Sequence, residues 1–302
     1  MNTNMPRYLG QHFLINRNKI KHAVEAMEIV EGDVIIEIGP GHGELTGEII
    51  KQFKNKKIEK FKIFLIEKDK KLADDLKEKF KSDENIEIIE GDVLKILPDL
   101  CFKFQASSFK IVGNIPYYIT GYLFRIIGEL ENKPSLIVFT IQKEVAERIC
   151  ALKPSYSHGR IRISRLPHTR TSSVRDKLRG SERYSHAMNL LAASVQFWSE
   201  PKIISYVSKK DFRPAPKVDS AIIKLTPKTQ NPKSKTYYQF IKILFKQPRK
   251  TILNNLSAIS KQRAVIIKKE EIVKKLQKFG INPTDRPQNL DIDQIIELST
   301  LF

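Results

Sequence analysis

The sequence predicts an α/β fold: a doubly wound, largely parallel sheet over the first two thirds of the chain, then a small all-helical domain at the C-terminal end. Three observations carry that expectation. Short β-branched runs alternate with charged helical stretches between Val34 and Gln142, a glycine-rich turn follows the first of those runs, and a Lys-rich helical pattern takes over from about Tyr237. With 302 residues, 41% of them apolar, the chain is long enough to bury one large core or two ordinary ones, and it is not a disordered tail.

Taken in order, the strand candidates are Val34 to Ile38, Lys62 to Ile66, Ile86 to Ile89, Lys110 to Val112 and Leu136 to Ile141. Several are apolar enough to be buried on both faces, as strands of a parallel sheet are. Helix candidates at Glu44 to Phe53 and Lys70 to Lys81 lie between them. A doubly wound sheet of this order binds ligands outside the carboxyl ends of its strands, so motifs at those ends matter most. Lys202 to Val207 and Ser220 to Leu225 read as two further strands, and Thr226 to Lys235, with two prolines, reads as a linker. The expected domains are therefore 1–229 and 230–302.

One segment breaks the pattern. Residues 155–187 hold seven of the chain's fifteen arginines and three of its six histidines, carry eight basic against two acidic side chains, and show no period of 2 or 3.6. They read as an Arg/Ser-rich insertion of irregular structure.

The net charge of +19 is just as uneven, since residues 1–150 hold 23 basic and 23 acidic side chains while residues 151–302 hold 30 and 11. A neutral half joined to a strongly basic one suggests a part that handles a small molecule and a part that meets a polyanion, nucleic acid first; a merely soluble, Lys-rich protein is the plainer alternative. Two cysteines, Cys101 and Cys150, make no disulfide framework and belong to no metal-spaced cluster, so a reducing, cytoplasmic setting and no metal are expected. No apolar run is long enough to span a bilayer, and no membrane partner is expected.

Three strand ends carry candidate ligands for a small molecule. In EIGPGHGEL, Gly39, Gly41 and Gly43 form a tight turn that opens a helix and lets backbone approach a ligand closely. The GxGxG spacing departs from the GxGxxG of dinucleotide binders and favours a nucleoside cofactor. Glu67, at the end of IFLIE, can accept both hydroxyls of a ribose. Asp92, in IIEGD, can accept a hydrogen bond from an adenine amino group. Each acid alone is also what a helix cap or a solvated turn would use.

The fourth strand ends in GNIPYY, the most specific motif in the chain. The pattern resembles the signature of methyltransferases acting on exocyclic amines of nucleobases. Such an amine is a poor nucleophile because its lone pair is delocalised into the ring, and acceptors for its two hydrogens return electron density to nitrogen. The Asn114 side-chain oxygen and the Ile115 carbonyl are the expected acceptors, Pro116 fixes the turn, and Tyr117 is expected to stack on a base taken out of its own stack. An Asn-x-Pro turn with a packed tyrosine is the alternative.

With these motifs the chain resembles the small-subunit ribosomal RNA adenine dimethyltransferases, the KsgA family. The matching blocks are LGQHFL, EIGPGHGELT, IEKD, EGDVL, GNIPYYIT, QKEVAERI, FRPAPKVDSAIIKL, QPRKTILNNL and RPQNLDIDQIIEL, which run from Leu9 to Leu298. The resemblance implies a Rossmann-like S-adenosylmethionine-dependent sheet, with the cofactor contacted by His12, Leu14, Gly39, Gly41, Glu67, Asp92 and Asn114. Phe212 and the prolines after it would border the entrance for the target base. The implied reaction is dimethylation of two adjacent adenosines near the 3′ end of small-subunit rRNA, free or within an assembling subunit, by a monomer. Lys246, Arg249 and Lys250 of KQPRK are candidates to hold RNA phosphates, and a solvated helix face is the alternative. His12 stands where many members have Asn. Residues 155–187 have no counterpart, and MNLLAASVQ, Met188 to Gln196, resembles the strand that follows QKEVAERI in the family. A large-subunit rRNA methyltransferase of the antibiotic-resistance type and an assembly factor with little catalysis are the alternative functions.

Overall fold

Five strands, four of them almost wholly apolar, form a parallel ladder. A computed structural model describes residues 11–104, 108–150, 188–228, 234–262 and 268–301, and every element below lies within them. After a two-residue strand β1 (Phe13–Leu14) and helix α1 (Arg17–Ala26), the chain alternates β2 (Val34–Ile38), α2 (Glu44–Asn55), β3 (Lys62–Glu67), α3 (Lys70–Lys79), β4 (Ile86–Glu90), α4 (Val93–Phe102), β5 (Phe109–Asn114), α5 (Thr120–Glu129), β6 (Leu136–Gln142) and α6 (Lys143–Ile149). β7 (Ser199–Val207), the short β8 (Phe212–Arg213) and β9 (Ser220–Pro227) follow.

The seven-stranded sheet has the order β4-β3-β2-β5-β6-β9-β7, parallel from β4 to β6 and antiparallel from β6 through β9 to β7. Strand order reverses between β2 and β5, and a crevice opens beyond the carboxyl ends there. The register brings the ends together: Ile38 pairs with Ile66 and Gly113, Glu67 with Glu90, and Asn114 with Thr140. β9 runs against β6, so Ser220 pairs with Gln142 and Val207. The connection from β7 to β9, residues 208–219, therefore emerges at the same edge as those carboxyl ends.

Caps set the helix starts. Asn16, Asp69 and Asp92 each accept backbone N–H groups of the first turn of α1, α3 and α4, at 3.0 to 3.2 Å. Phe53 of α2 stacks on Phe61 with ring centroids 4.0 Å apart. One buried ion pair crosses the sheet's lower end, where Lys110 Nζ lies 2.7 Å from Asp33 Oδ2 and also donates to the Glu28 carbonyl at 2.8 Å.

Met188 to Gln196 is not a strand. The segment forms a helix, Leu190–Trp198, whose Ala192, Ala193, Val195, Phe197 and Trp198 are all buried. A helix apolar on nearly every side shows no amphipathic period, and its Leu and Ala residues are strong helix formers. Gln196 Nε2 donates to the Ile149 carbonyl at 2.8 Å, which ties this helix to the end of α6. The expected linker over 226–235 is shorter than its composition suggests: β9 runs to Pro227, Lys228 N donates to Trp198 O at 2.8 Å, and a helix starts at Ser234. The insertion at 155–187 lies outside the described residues.

The chain divides into two units, the first holding the described residues up to Cys150 together with Leu191–Tyr238, the second the described residues around 188–190 and from Gln239 onward. Within the second, helices Ile252–Gln262, Lys269–Lys278 and Ile292–Leu301 bury Ile252, Leu256, Ile272, Leu276, Ile295 and Leu298. The Asn255 amide satisfies carbonyls of Gln247, Lys250 and Thr251 at 3.2 to 3.3 Å, which fixes the turn before the first of these helices. Among the described residues no helix is long and apolar enough to cross a membrane.

Candidate active site

The ends of β2, β3, β4 and β5 frame an open cleft, about 840 Å³ with its mouth included. Its wall includes Gly39, Gly41, Glu67, Asp92, Asn114, Ile115, Pro116 and Tyr117. His12, just before β1, and Phe212, in β8, also line it, and β1 and β8 pair antiparallel through Phe13 with Arg213 and Leu14 with Phe212.

The glycine turn needs glycine for two reasons. Gly39, Gly41 and Gly43 have φ of 64°, 59° and 80°, left-handed values that L side chains rarely adopt. A Cβ on Gly41 would also sit 2.7 Å from two carbons of the Phe13 ring.

Glu67 is buried, yet it lines the cleft. Its Oε2 accepts Gly41 N at 3.2 Å and its Oε1 accepts Asp69 N at 2.9 Å, so the carboxylate ties the glycine turn to the start of α3. Burial pushes its pKa up, against the backbone N–H groups of Asp69, Gly41 and Lys68. Each oxygen keeps a lone pair, and a desolvated carboxylate in a cleft wall is a strong acceptor for vicinal hydroxyls.

Asp92 caps α4 through Leu94 N at 3.0 Å, and its other oxygen meets Lys68 Nζ at 3.1 Å. Burial raises its pKa, but Lys68 and the Leu94 amide outweigh that and hold it below the ordinary value, so it stands as an anion and a pure acceptor.

At the end of β5, Asn114 Nδ2 donates to the His12 carbonyl at 2.6 Å, and the His12 ring nitrogen Nδ1 lies 2.7 Å from the Pro214 carbonyl. Ile115 N donates to Thr140 O at 3.0 Å, which anchors the turn to β6. The Tyr117 hydroxyl pairs with Ser220 Oγ at 2.9 Å, with its ring half-buried and 6.0 Å from that of His12.

Leu14 is not on this wall. It is buried beside Ile20, Ala23, Val112 and Val138 and borders a smaller adjoining cavity with Glu37. Lys246, Arg249 and Lys250 are exposed on the turn before helix Ile252–Gln262, in the second unit. Phe13, Lys68 and the exposed Tyr118 line the cleft without having stood out in the sequence; Lys68 and Tyr118 are next to quoted motif residues, and alternation in a strand or turn does not flag them. No group of three or more His, Cys, Asp or Glu among the described residues could hold a metal ion.

These residues suit a nucleoside cofactor, with a close-approach turn, a buried acceptor for hydroxyls, an anionic acceptor and apolar neighbours. The family described as "Ribosomal RNA adenine dimethylase" matches residues 2–299. The chain is 35% identical over 300 residues, 98% of its own length and 96% of the relative's, to the "Ribosomal RNA small subunit methyltransferase A" of Mycoplasma mycoides subsp. mycoides SC. It is 32% identical over 290 residues, 95% and 84% of the two lengths, to the protein of the same description from Dehalococcoides mccartyi strain 195. Among solved structures, a dimethyladenosine transferase from Plasmodium falciparum superposes with TM-score 0.67 at 22% identity, covering 95% of this chain and 96% of that one. The 23S rRNA methyltransferase ErmE superposes with TM-score 0.66 at 21% identity over 95% and 98%. At those identities the likeness is one of fold.

Proposed function

The chain belongs to the ribosomal RNA adenine dimethylase family, and from that membership we infer that it dimethylates adenosines of small-subunit rRNA with S-adenosylmethionine. The observation that supports the reading most directly is the cleft itself. A cofactor-type wall of Gly39, Gly41, Glu67 and Asp92 meets the Asn114–Tyr117 turn in one cavity.

S-adenosylmethionine, when bound, supplies an activated methyl group on a sulfonium. Glu67 would take the ribose hydroxyls and Asp92 the adenine amine of the cofactor. With Nδ2 engaged by His12, the free side-chain acceptor of Asn114 is Oδ1. That oxygen and the Ile115 carbonyl would accept the hydrogens of the target amine, raising electron density on its nitrogen and aligning it for transfer. Tyr117, braced through Ser220, offers a ring for the displaced base, and Phe212 borders the space beside it.

The substrate in this reading is two adjacent adenosines near the 3′ end of small-subunit rRNA, free or within an assembling subunit, in the cytoplasm, and the protein acts as a monomer. The sequence relatives are described as small-subunit enzymes, whereas the large-subunit enzyme is similar in fold alone. The test supplies labelled S-adenosylmethionine with unmethylated small subunits and maps the modified bases. Label on the two adjacent adenosines is the expected result, and label only in large-subunit RNA would overturn it.

A further inference from the structure

We propose that the β7–β9 connection, residues 208–219, is a preformed phosphate-binding lip of the cleft, with Lys209, Lys210, Arg213 and Lys217 gripping the RNA backbone beside the displaced adenosine. The proposal rests on the rRNA reading above and adds to it the place where the strand is held. Four observations carry it.

The segment reaches the site. Phe212 lines the cleft, Arg213 pairs with Phe13, and the Pro214 carbonyl meets the His12 ring, so the segment that carries these cations reaches the cleft wall at Phe212.

The cations are uncommitted. Lys209, Lys210, Arg213 and Lys217 are all exposed, and none forms an ion pair or a side-chain hydrogen bond among the described residues. Elsewhere on the first unit some cations are engaged, Lys68 with Asp92, Lys77 with Asp74 and Lys224 with Glu28.

The acids of the segment hold the loop. Asp211 accepts Asn16 Nδ2 at 2.7 Å and Ser208 N at 2.9 Å, and Asp219 accepts Lys209 N at 2.9 Å. Those carboxylates fix the backbone, and among the described residues neither pairs with the side chain of one of the lysines or of the arginine.

The loop is also fastened at both ends. Ile15 N donates to Asp211 O at 2.8 Å and Lys143 N to Asp219 O at 3.0 Å. The backbone that carries the cations is thereby fixed, and phosphate contacts of this kind set the register of the RNA while the cleft receives one base.

The test measures binding of unmethylated small-subunit RNA against salt for the full chain and for the variant Lys209→Gln/Lys210→Gln/Arg213→Gln/Lys217→Gln. Each lost phosphate contact lowers the slope of log K on log salt by about 0.7, so a drop approaching about 3 is expected, with affinity down at least about tenfold at 0.1 M salt. KM for the RNA should rise while kcat is kept, and cofactor binding should be unchanged, which reports an intact fold. Should the fourfold variant fail to bind cofactor, Lys209→Gln/Lys210→Gln is read instead, with an expected drop of about 1.4. An unchanged slope, or a loss seen only with Lys246→Gln/Arg249→Gln/Lys250→Gln, overturns the proposal. Failure of the wild-type chain to methylate overturns the functional reading separately, and the slope still decides the lip.

Discussion

Asn114 Nδ2 donates to the backbone carbonyl of His12 across 2.6 Å, which links the end of β5 to a residue 102 positions earlier in the chain. A carbonyl can only accept, so the bond fixes which end of the amide is nitrogen and leaves Oδ1 as its acceptor. Asn114→Ala should abolish methyl transfer while weakening the cofactor by no more than about tenfold, roughly 1.4 kcal/mol. Asn114→Asp should be as inactive, because it sets a carboxylate oxygen against the His12 carbonyl. Single-turnover methylation beside equilibrium cofactor binding checks both, and near wild-type transfer by either variant would remove Asn114 from the chemistry.

Glu67→Ala should act first on binding. It removes an acceptor for the ribose and frees Gly41 N, so the cofactor dissociation constant should rise more than tenfold, with saturated turnover falling less. Calorimetric titration decides this, and an unchanged constant would exclude Glu67 from the site.

Gly41→Ala should cost both stability and binding. Its φ of 59° is strained for alanine by about 1 to 2 kcal/mol, and the new methyl must displace the Phe13 ring. A lower unfolding temperature with weakened cofactor binding is expected; a variant indistinguishable from wild type in both would contradict it.

Burial raises the Glu37 carboxyl from 4.5 to about 8, with Thr46 Oγ1, 2.7 Å away, opposing that rise, Glu44 and Glu67 adding to it, and Lys79 opposing it. The folded protein therefore holds a proton that the unfolded chain releases. This contribution to stability is present in full below about pH 4.5 and is lost as pH climbs towards about 8. Glu37→Gln, which can still accept from Thr46, should flatten the fall in unfolding temperature across that window and be relatively stabilised at its upper end, by on the order of a few kcal/mol. Glu67 shifts in the same direction and remains, so some slope should persist. An identical slope in wild type and variant would show that Glu37 ionises freely in the fold.

Deleting residues 155–187 should leave a folded protein that binds cofactor and methylates at least as well. The helices on either side are already joined through Gln196 and Ile149. Gln142 pairs with Ser220, 78 residues on, and removing 33 shortens that separation to 45, a gain of only about 0.5 kcal/mol in closure entropy. Thermal unfolding and methylation of the deleted chain check this. A deletion that folds but no longer binds rRNA would make the segment a functional loop.

The parallel half of the fold was legible because four of its five strands are buried on both faces: Val34–Ile38 matches its predicted limits, and β3 to β6 differ from theirs by one to three residues in total length. Helices α1, α4 and α5 gave weaker signals. α4 holds Pro98 and is apolar overall, and α5 opens straight from the Tyr117–Ile119 turn. Glu67, Asp92 and Asn114 were found as ligand-type residues at strand ends, a position set by topology. What they hold was not legible, because the Lys68 contact to Asp92 and the Asn114 contact to His12 depend on three-dimensional packing. The almost wholly apolar sequence of Leu190–Trp198 erased the period that distinguishes helix from strand.

The antiparallel end of the sheet also sets the order in which the chain is protected as it is made. β6 reads LIVFTIQ, with its first six residues buried, and it takes β5 on one side early but β9 on the other only after Ser220 has emerged. Until then a growing chain exposes an apolar row of unpaired N–H and C=O groups, the geometry most prone to sticking to a neighbouring strand. Premature termination anywhere between Gln142 and Ser220 would thus leave more than an inactive fragment. It would leave an aggregation template, and a cell making this protein has reason to clear such fragments quickly.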